Sequence, residues 1–218
     1  MSRVLPILFN TEMVRAILDN RKTVTRRICK DGNIYTVPDM DFYDADRRTY
    51  AVHNYADKEH RVQLSTAERS CPICPGDILY VRETWCRVGE DVDKMYFEHS
   101  GAMWDGMYLY KADGTELSDI GKWRPSIHMP KDAARIWLKV TDVRVEHLQD
   151  ITEDEAKAEG ANWKNGKNVG WEEKMKRTAV DRFAEIWNST IKKSDLERYG
   201  WDANPWVWVI EFERCEKP

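Results

Sequence analysis

The apolar residues of this chain come in short runs separated by turn residues, and that pattern limits the fold more than any other feature. Val4-Leu5-Pro6-Ile7-Leu8-Phe9 reads as a short buried strand. The turn Pro75-Gly76-Asp77 leads into a second strand over residues 78 to 88. Residues 95 to 97 and 107 to 110 read as two more strands around the turns at Gly101 and Gly106. Over residues 135 to 145, Ile136, Leu138 and Val140 alternate with Arg135, Trp137 and Lys139, the period of a strand with one buried face. Residues 206 to 212 supply a closing strand. Helices are few. One is capped by Asn10 or Thr11 and runs through Leu18, with Val14, Ile17 and Leu18 on one side. A second covers residues 151 to 160, where Thr152 and Glu155 make a capping box, Ile151 and Ala156 a hydrophobic staple, and Gly160 the stop. A third runs over residues 172 to 187, with Met175, Ala179, Phe183 and Ile186 on its buried stripe. Many short strands with scattered helices predict an α+β protein built on a small closed or half-closed β-barrel, not a doubly wound sheet.

The 218 residues suit one domain, residues 1 to 218. Residues 29 to 70 are polar and weakly periodic, and read as an irregular insertion or lid. The formal net charge is −4, so any contact with nucleic acid must come from a local patch. Ten tryptophans are many for this length; they fill cores, and their faces also stack on nucleobases. The N-terminal apolar run is too short for a signal peptide, and no stretch approaches the ~18 apolar residues of a membrane span. Five irregularly spaced cysteines then fit a soluble, reduced, cytoplasmic protein without a membrane partner.

Residues 20 to 27, Asn-Arg-Lys-Thr-Val-Thr-Arg-Arg, hold four cations and two threonines directly after the first helix. Asn20 falls where a helix places its left-handed terminating residue. Lys22 and Thr25 pair a candidate base with a candidate nucleophile, and Arg26 and Arg27 are donors suited to phosphates or base edges. In a regular strand, however, positions 22 and 25 point to opposite faces. Glu159 is the second unusual residue. It closes its helix at the end where the macrodipole disfavours negative charge, so it is either a solvated surface carboxylate or one that faces a cation such as Lys22 and works as acid or base.

Cys71-Pro72-Ile73-Cys74 has the spacing of half a zinc site, but the second half is missing, so no metal and no cofactor is expected. Residues 121 to 130 place Trp123, Arg124, Ser126 and His128 between two prolines, as a connector or as a pocket lining with a stacking face. Arg82, Glu83 and Trp85 form a similar set on the preceding strand, and an inward Arg82 needs an anionic partner.

These segments resemble the ASCH-domain family, a branch of the PUA-like superfamily. The family motif Gly-x-Lys-x-x-(Glu/Thr)-x-Arg is matched by residues 20 to 27, with Asn20 in place of the glycine. Residues 75 to 85, 123 to 130 and 204 to 208 are similar to segments of the larger phage and prophage form of the family. The resemblance implies a PUA-like β-barrel with a cleft beside the first helix. One branch of the family removes acyl groups from the exocyclic N4 of acylated cytosine nucleosides. Its lysine, threonine and glutamate fall on Lys22, Thr25 and Glu159. Arg26, Arg27, Arg82, Glu83, Trp85, Arg124, Ser126 and His128 would then bind the nucleoside. The family also implies an alternative, a module for RNA or single-stranded nucleic acid serving a phage, and a metal-independent ribonuclease is a third reading.

Overall fold

A computed structural model describes residues 2–29, 34–36, 51–53, 61–64, 73–90, 106–115, 122–161 and 177–218. Ten strands and four α-helices occur in the chain order β1 (Val4–Leu8), α1 (Thr11–Leu18), β2 (Val24–Ile28), β3 (Ile34–Thr36), β4 (Ala51–His53), β5 (Arg61–Leu64), β6 (Ile78–Arg82), β7 (Trp85–Arg87), β8 (Tyr108–Tyr110), β9 (Trp137–His147), α2 (Glu153–Ala158), α3 (Ala179–Thr190), α4 (Leu196–Tyr199) and β10 (Trp206–Cys215) among these residues. The fold is α+β. Five strands make one mixed sheet in the order β1-β6-β9-β10-β2. β1 runs parallel to β6, which pairs antiparallel with β9. β10 and β2 are antiparallel, with Val209 opposite Arg26 and Ile210 opposite Thr25. β1 and β2 are the outer strands, so the described sheet is open and not a closed barrel.

Two compact units divide the chain. The first holds residues 1–20, 77–139 and 213–218. In it, α1 starts where the Asn10 side chain accepts from Met13 N at 2.9 Å. Asn20, at φ +56°, ends it as expected. Sequence periodicity suggested one strand over residues 78 to 88. The chain instead breaks at Glu83 and Thr84, and β7 leaves to pair with β8. Long-range contacts hold the break: Glu83 is buried on Arg135, and its N–H donates to Met129 Sδ at 3.2 Å. Trp137, expected on an exposed face, is buried with Trp85, Met129, Ala133 and Ala134. Both faces of β9 are covered there, so simple alternation fails.

The second unit holds residues 21–76 and 140–212. Within the segment read as an irregular insertion, β3, β5 and β4 form a three-stranded antiparallel sheet. Thr141 and Asp142 are both exposed, and the buried parity of β9 switches from Val140 to Val143 and Val145. Thr178 caps α3 through Asp181 N at 3.1 Å. The described helix therefore begins at Ala179; its expected start at residue 172, and Met175, lie outside the described residues, as do residues 95 to 97 and Cys71. Val24, Val207 and Val209 from the sheet pack on Ala156, Ala179, Phe183 and Trp187 from α2 and α3. Among the described residues no helix is long and apolar enough to cross a membrane.

Candidate active site

The second unit brings Lys22 and Glu159 together. Glu159 owes its place to the way α2 ends. Thr152 and Glu155 close the capping box, and Ile151 and Ala156 lie in the same apolar cluster. At the other end Gly160, at φ +87°, donates to Lys157 O at 2.8 Å, and Ala161 N donates to Ala156 O at 3.1 Å. This pair of bonds is a Schellman closure, which needs the left-handed conformation at Gly160. Glu159 is thus the last residue before a fixed reversal. Its backbone forms an antiparallel bridge with Lys22, and Thr23 N donates to Ala158 O at 2.9 Å.

Lys22 Nζ donates to Glu159 Oε2 at 2.5 Å, to Glu159 O at 3.0 Å and to Val24 O at 2.7 Å. The two side chains are 0% and 3% exposed. Burial pushes the Lys22 amine below its ordinary pKa, with Glu159 opposing that shift and Arg27 and Arg26 adding to it. The site therefore contains a lysine whose charge is penalised by desolvation and a carboxylate fixed against it.

Arg26 stands behind Glu159. Its side chain is fully buried. Nη2 lies 3.2 Å from both Glu146 and Glu155, and Nη1 lies 3.6 Å from Glu159 Oε1. The guanidinium also sits 5.9 Å from the centre of the Phe183 ring. Arg144 continues the array, donating to Glu155 at 2.6 Å and also to Glu146 and Glu211. The sequence reading missed Arg144, Glu146 and Glu155 as members of this group. A usable signal was present: Arg144 and Glu146 are two apart on a strand and so share a face.

Thr25 and Arg27 are placed differently. On the paired strands, Val24, Ile28, Val207 and Val209 face the apolar cluster, and Arg26 shares their parity. Alternation puts Thr25 and Arg27 on the opposite face with Trp208 and Ile210. Thr25 is buried, and its hydroxyl is not among the three acceptors described above for Lys22 Nζ. Arg27 is half-buried; desolvation lowers its pKa, and Glu159 acts against that.

The other expected substrate-binding residues belong to the first unit. Glu83, 1% exposed, meets Arg135 through two hydrogen bonds of 2.9 and 3.1 Å. Arg135 also binds Asp113 and lies 3.9 Å over the Tyr110 ring. Burial raises the Glu83 pKa against the opposing pull of Arg135, and raises that of Tyr110 to about 12. So the buried member of the 82–83 pair is the carboxylate, and its partner Arg135 is half-buried. Arg82 is half-buried and donates to Met129 O at 2.8 Å. Trp85 is buried and bridges to Arg124, whose guanidinium lies 5.2 Å from the Trp85 ring. Ser126 and His128 lie on one short 3-10 turn, half-buried and exposed respectively. Among the described residues no group of three His, Cys, Asp or Glu side chains is placed to hold a metal.

No protein-family model matches this sequence, and no curated protein or solved structure matches it.

Proposed function

We propose that the protein is an amidohydrolase that removes acyl groups from the exocyclic N4 of acylated cytosine nucleosides. The observation that carries the reading is the buried Lys22–Glu159 pair, held at 2.5 Å where two separate elements end. These are two of the three residues for which the ASCH resemblance implies this chemistry. The PUA-like assignment, with the open sheet as a half-closed form of the barrel, is part of the same proposal, and so is a cytoplasmic location.

In the proposed reaction the Lys22 amine, neutral at the start, takes the Thr25 hydroxyl proton as Oγ1 attacks the acyl carbonyl. The tetrahedral intermediate collapses, the bond to N4 breaks, and Lys22 returns the proton to the leaving amine. An acyl ester remains on Thr25. Water then attacks it and gives a proton to Lys22, which passes that proton to Thr25 Oγ1 as the ester bond breaks and the free acid leaves. A lysine can serve as the base only if its pKa is lowered, and burial acts in that direction here. A neutral amine has two donors and one lone pair, so deprotonation ends one of the three contacts of Lys22 Nζ. Glu159 keeps the amine in place.

The alternatives are binding of RNA or single-stranded nucleic acid, and metal-independent cleavage of RNA. Both need cations open to a polyanion. Arg26 is fully buried among carboxylates, which favours the small substrate. The test is loss of acyl-cytosine absorbance on incubation with N4-acetylcytidine in the presence of a chelator. Turnover to cytidine and acetate is expected. No turnover with acetyl, benzoyl or longer acyl groups would leave the binding module as the better reading.

A further inference from the structure

Arg26 carries a consequence beyond the catalytic trio, and it rests on the hydrolytic reading of that site. Three buried polar atoms meet at this arginine without hydrogen-bond partners among the described residues: Arg26 Nε, Arg26 Nη1 and Glu159 Oε1. Nη1 and Oε1 face each other at 3.6 Å, just beyond hydrogen-bond range. A buried donor and a buried acceptor left idle side by side are costly, and a small movement of either would join them. The other end of the guanidinium does not move freely, because Nη2 is shared between Glu146 and Glu155 at 3.2 Å each. Those carboxylates are held in turn by Arg144, which also reaches Glu211. Among the described residues the charged groups around Arg26 are Lys22 and Glu159 on one side and Glu146, Glu155, Arg144 and Glu211 on the other, with Arg27 on the opposite face of β2.

We infer that Arg26 is a positioning residue for the proposed hydrolysis, a cation that takes over the idle oxygen of Glu159 whenever Lys22 gives up its charge. In the resting state Lys22 Nζ holds Oε2 and leaves Oε1 to face Arg26. Neutral Lys22 no longer compensates the buried carboxylate. Arg26 then closes on Oε1, and Glu159 stays an acceptor that orients the amine. Without Arg26, Glu159 would lose the guanidinium that faces Oε1, and the carboxylate would no longer be held where it orients the amine. Arg26 touches no reacting atom in this scheme.

The wild-type chain gives the first test. The Arg26 side-chain 15Nε and 13Cζ signals, followed by NMR as pH is raised, should shift with the same midpoint as Lys22. A flat Arg26 signal across the Lys22 titration overturns the inference, whether or not the protein turns over any nucleoside. Kinetics give the second. With N4-acetylcytidine, Arg26→Gln should lower kcat about tenfold or more, the factor that follows from one unit of pKa displacement, with KM within about twofold. Arg26→Lys, which restores the charge, should recover part of kcat. A raised KM with unchanged kcat would instead put Arg26 on the substrate. If Arg26→Gln does not fold, the wild-type titration alone decides.

Discussion

At the scale of single residues, the site rests on the contrast between a saturated lysine and the threonine that it is proposed to serve. Lys22 has three described acceptors, and burial lowers its pKa. The sign of the pH dependence follows. The unfolded chain binds the Lys22 proton more tightly than the folded one, so this residue's contribution to stability improves as pH rises through the folded pKa towards the ordinary value near 10.5. The proposed reaction needs the neutral amine, so kcat/KM for N4-acetylcytidine should rise with pH and level off below that value. Lys22→Arg should abolish this limb and lower kcat at least about a hundredfold, the lower range for loss of a general base. A pH–rate profile of both proteins checks it. Thr25 separates attack from packing. Thr25→Ser keeps the hydroxyl and should retain activity, whereas Thr25→Val keeps the shape and should retain none. An active valine variant would mean that water attacks directly, with Lys22 or Glu159 as its base. The three residue types were legible in the sequence, as was the tendency of positions 22 and 25 to diverge on a strand. The depth of Arg26 was not legible, because its burial depends on Glu146 and Glu155, more than a hundred positions away.

At the scale of elements, ends and breaks position the side chains. Caps were readable because their bonds are local: Asn10, Asn20, the Thr152–Glu155 box and Gly160 all act within a few residues. The break at Glu83 was not readable, since it depends on Arg135, 52 positions on. That pair gives a stability prediction. Glu83 is 1% exposed and Arg135 is partly open, so Arg135→Met should leave a buried carboxylate with its main cation removed. The expected loss is about 3 kcal/mol in urea unfolding, the low end for breaking a buried pair, and less near pH 4, where protonation relieves the charge. Gly200 gives another. Its backbone is ordinary, but Gly200 follows the end of α4, and an added Cβ would sit 2.5 Å from the carbonyl oxygen of Leu196, the first residue of that helix. Gly200→Ala should therefore destabilise by about 1–3 kcal/mol, as overpacking against rigid backbone does, and thermal melts should show it.

At the scale of the whole molecule, charge is spread without a basic excess, and the cations of the 20–27 run are partly consumed inside the second unit. The class of fold was legible from the short apolar runs, although strict alternation survives only in part of β9, at Val143 and Val145, while β10 buries Val207, Trp208, Val209 and Ile210 in a row. Closure was not, because which strands become sheet edges is decided by pairings between distant segments, here β1 with β6 and β2 with β10. The electrostatic prediction belongs at this scale. A net charge of −4 with Arg26 buried argues that the substrate is not a polyanion. The Lys22–Glu159 pair is almost fully buried, and salt screens such pairs weakly. The rate with N4-acetylcytidine should then change less than about twofold between about 0.05 and about 0.5 M salt, if screening acts only on exposed charges. Single-stranded RNA should bind weakly, and Arg26→Gln should leave its salt dependence unchanged. If log affinity for RNA instead falls with log salt at a slope of about −3 or steeper, several phosphates are being neutralised, and a cationic track outside the buried cluster is at work. That result would favour the nucleic-acid module, and a slope made shallower by removing Arg27 would place that residue on the track.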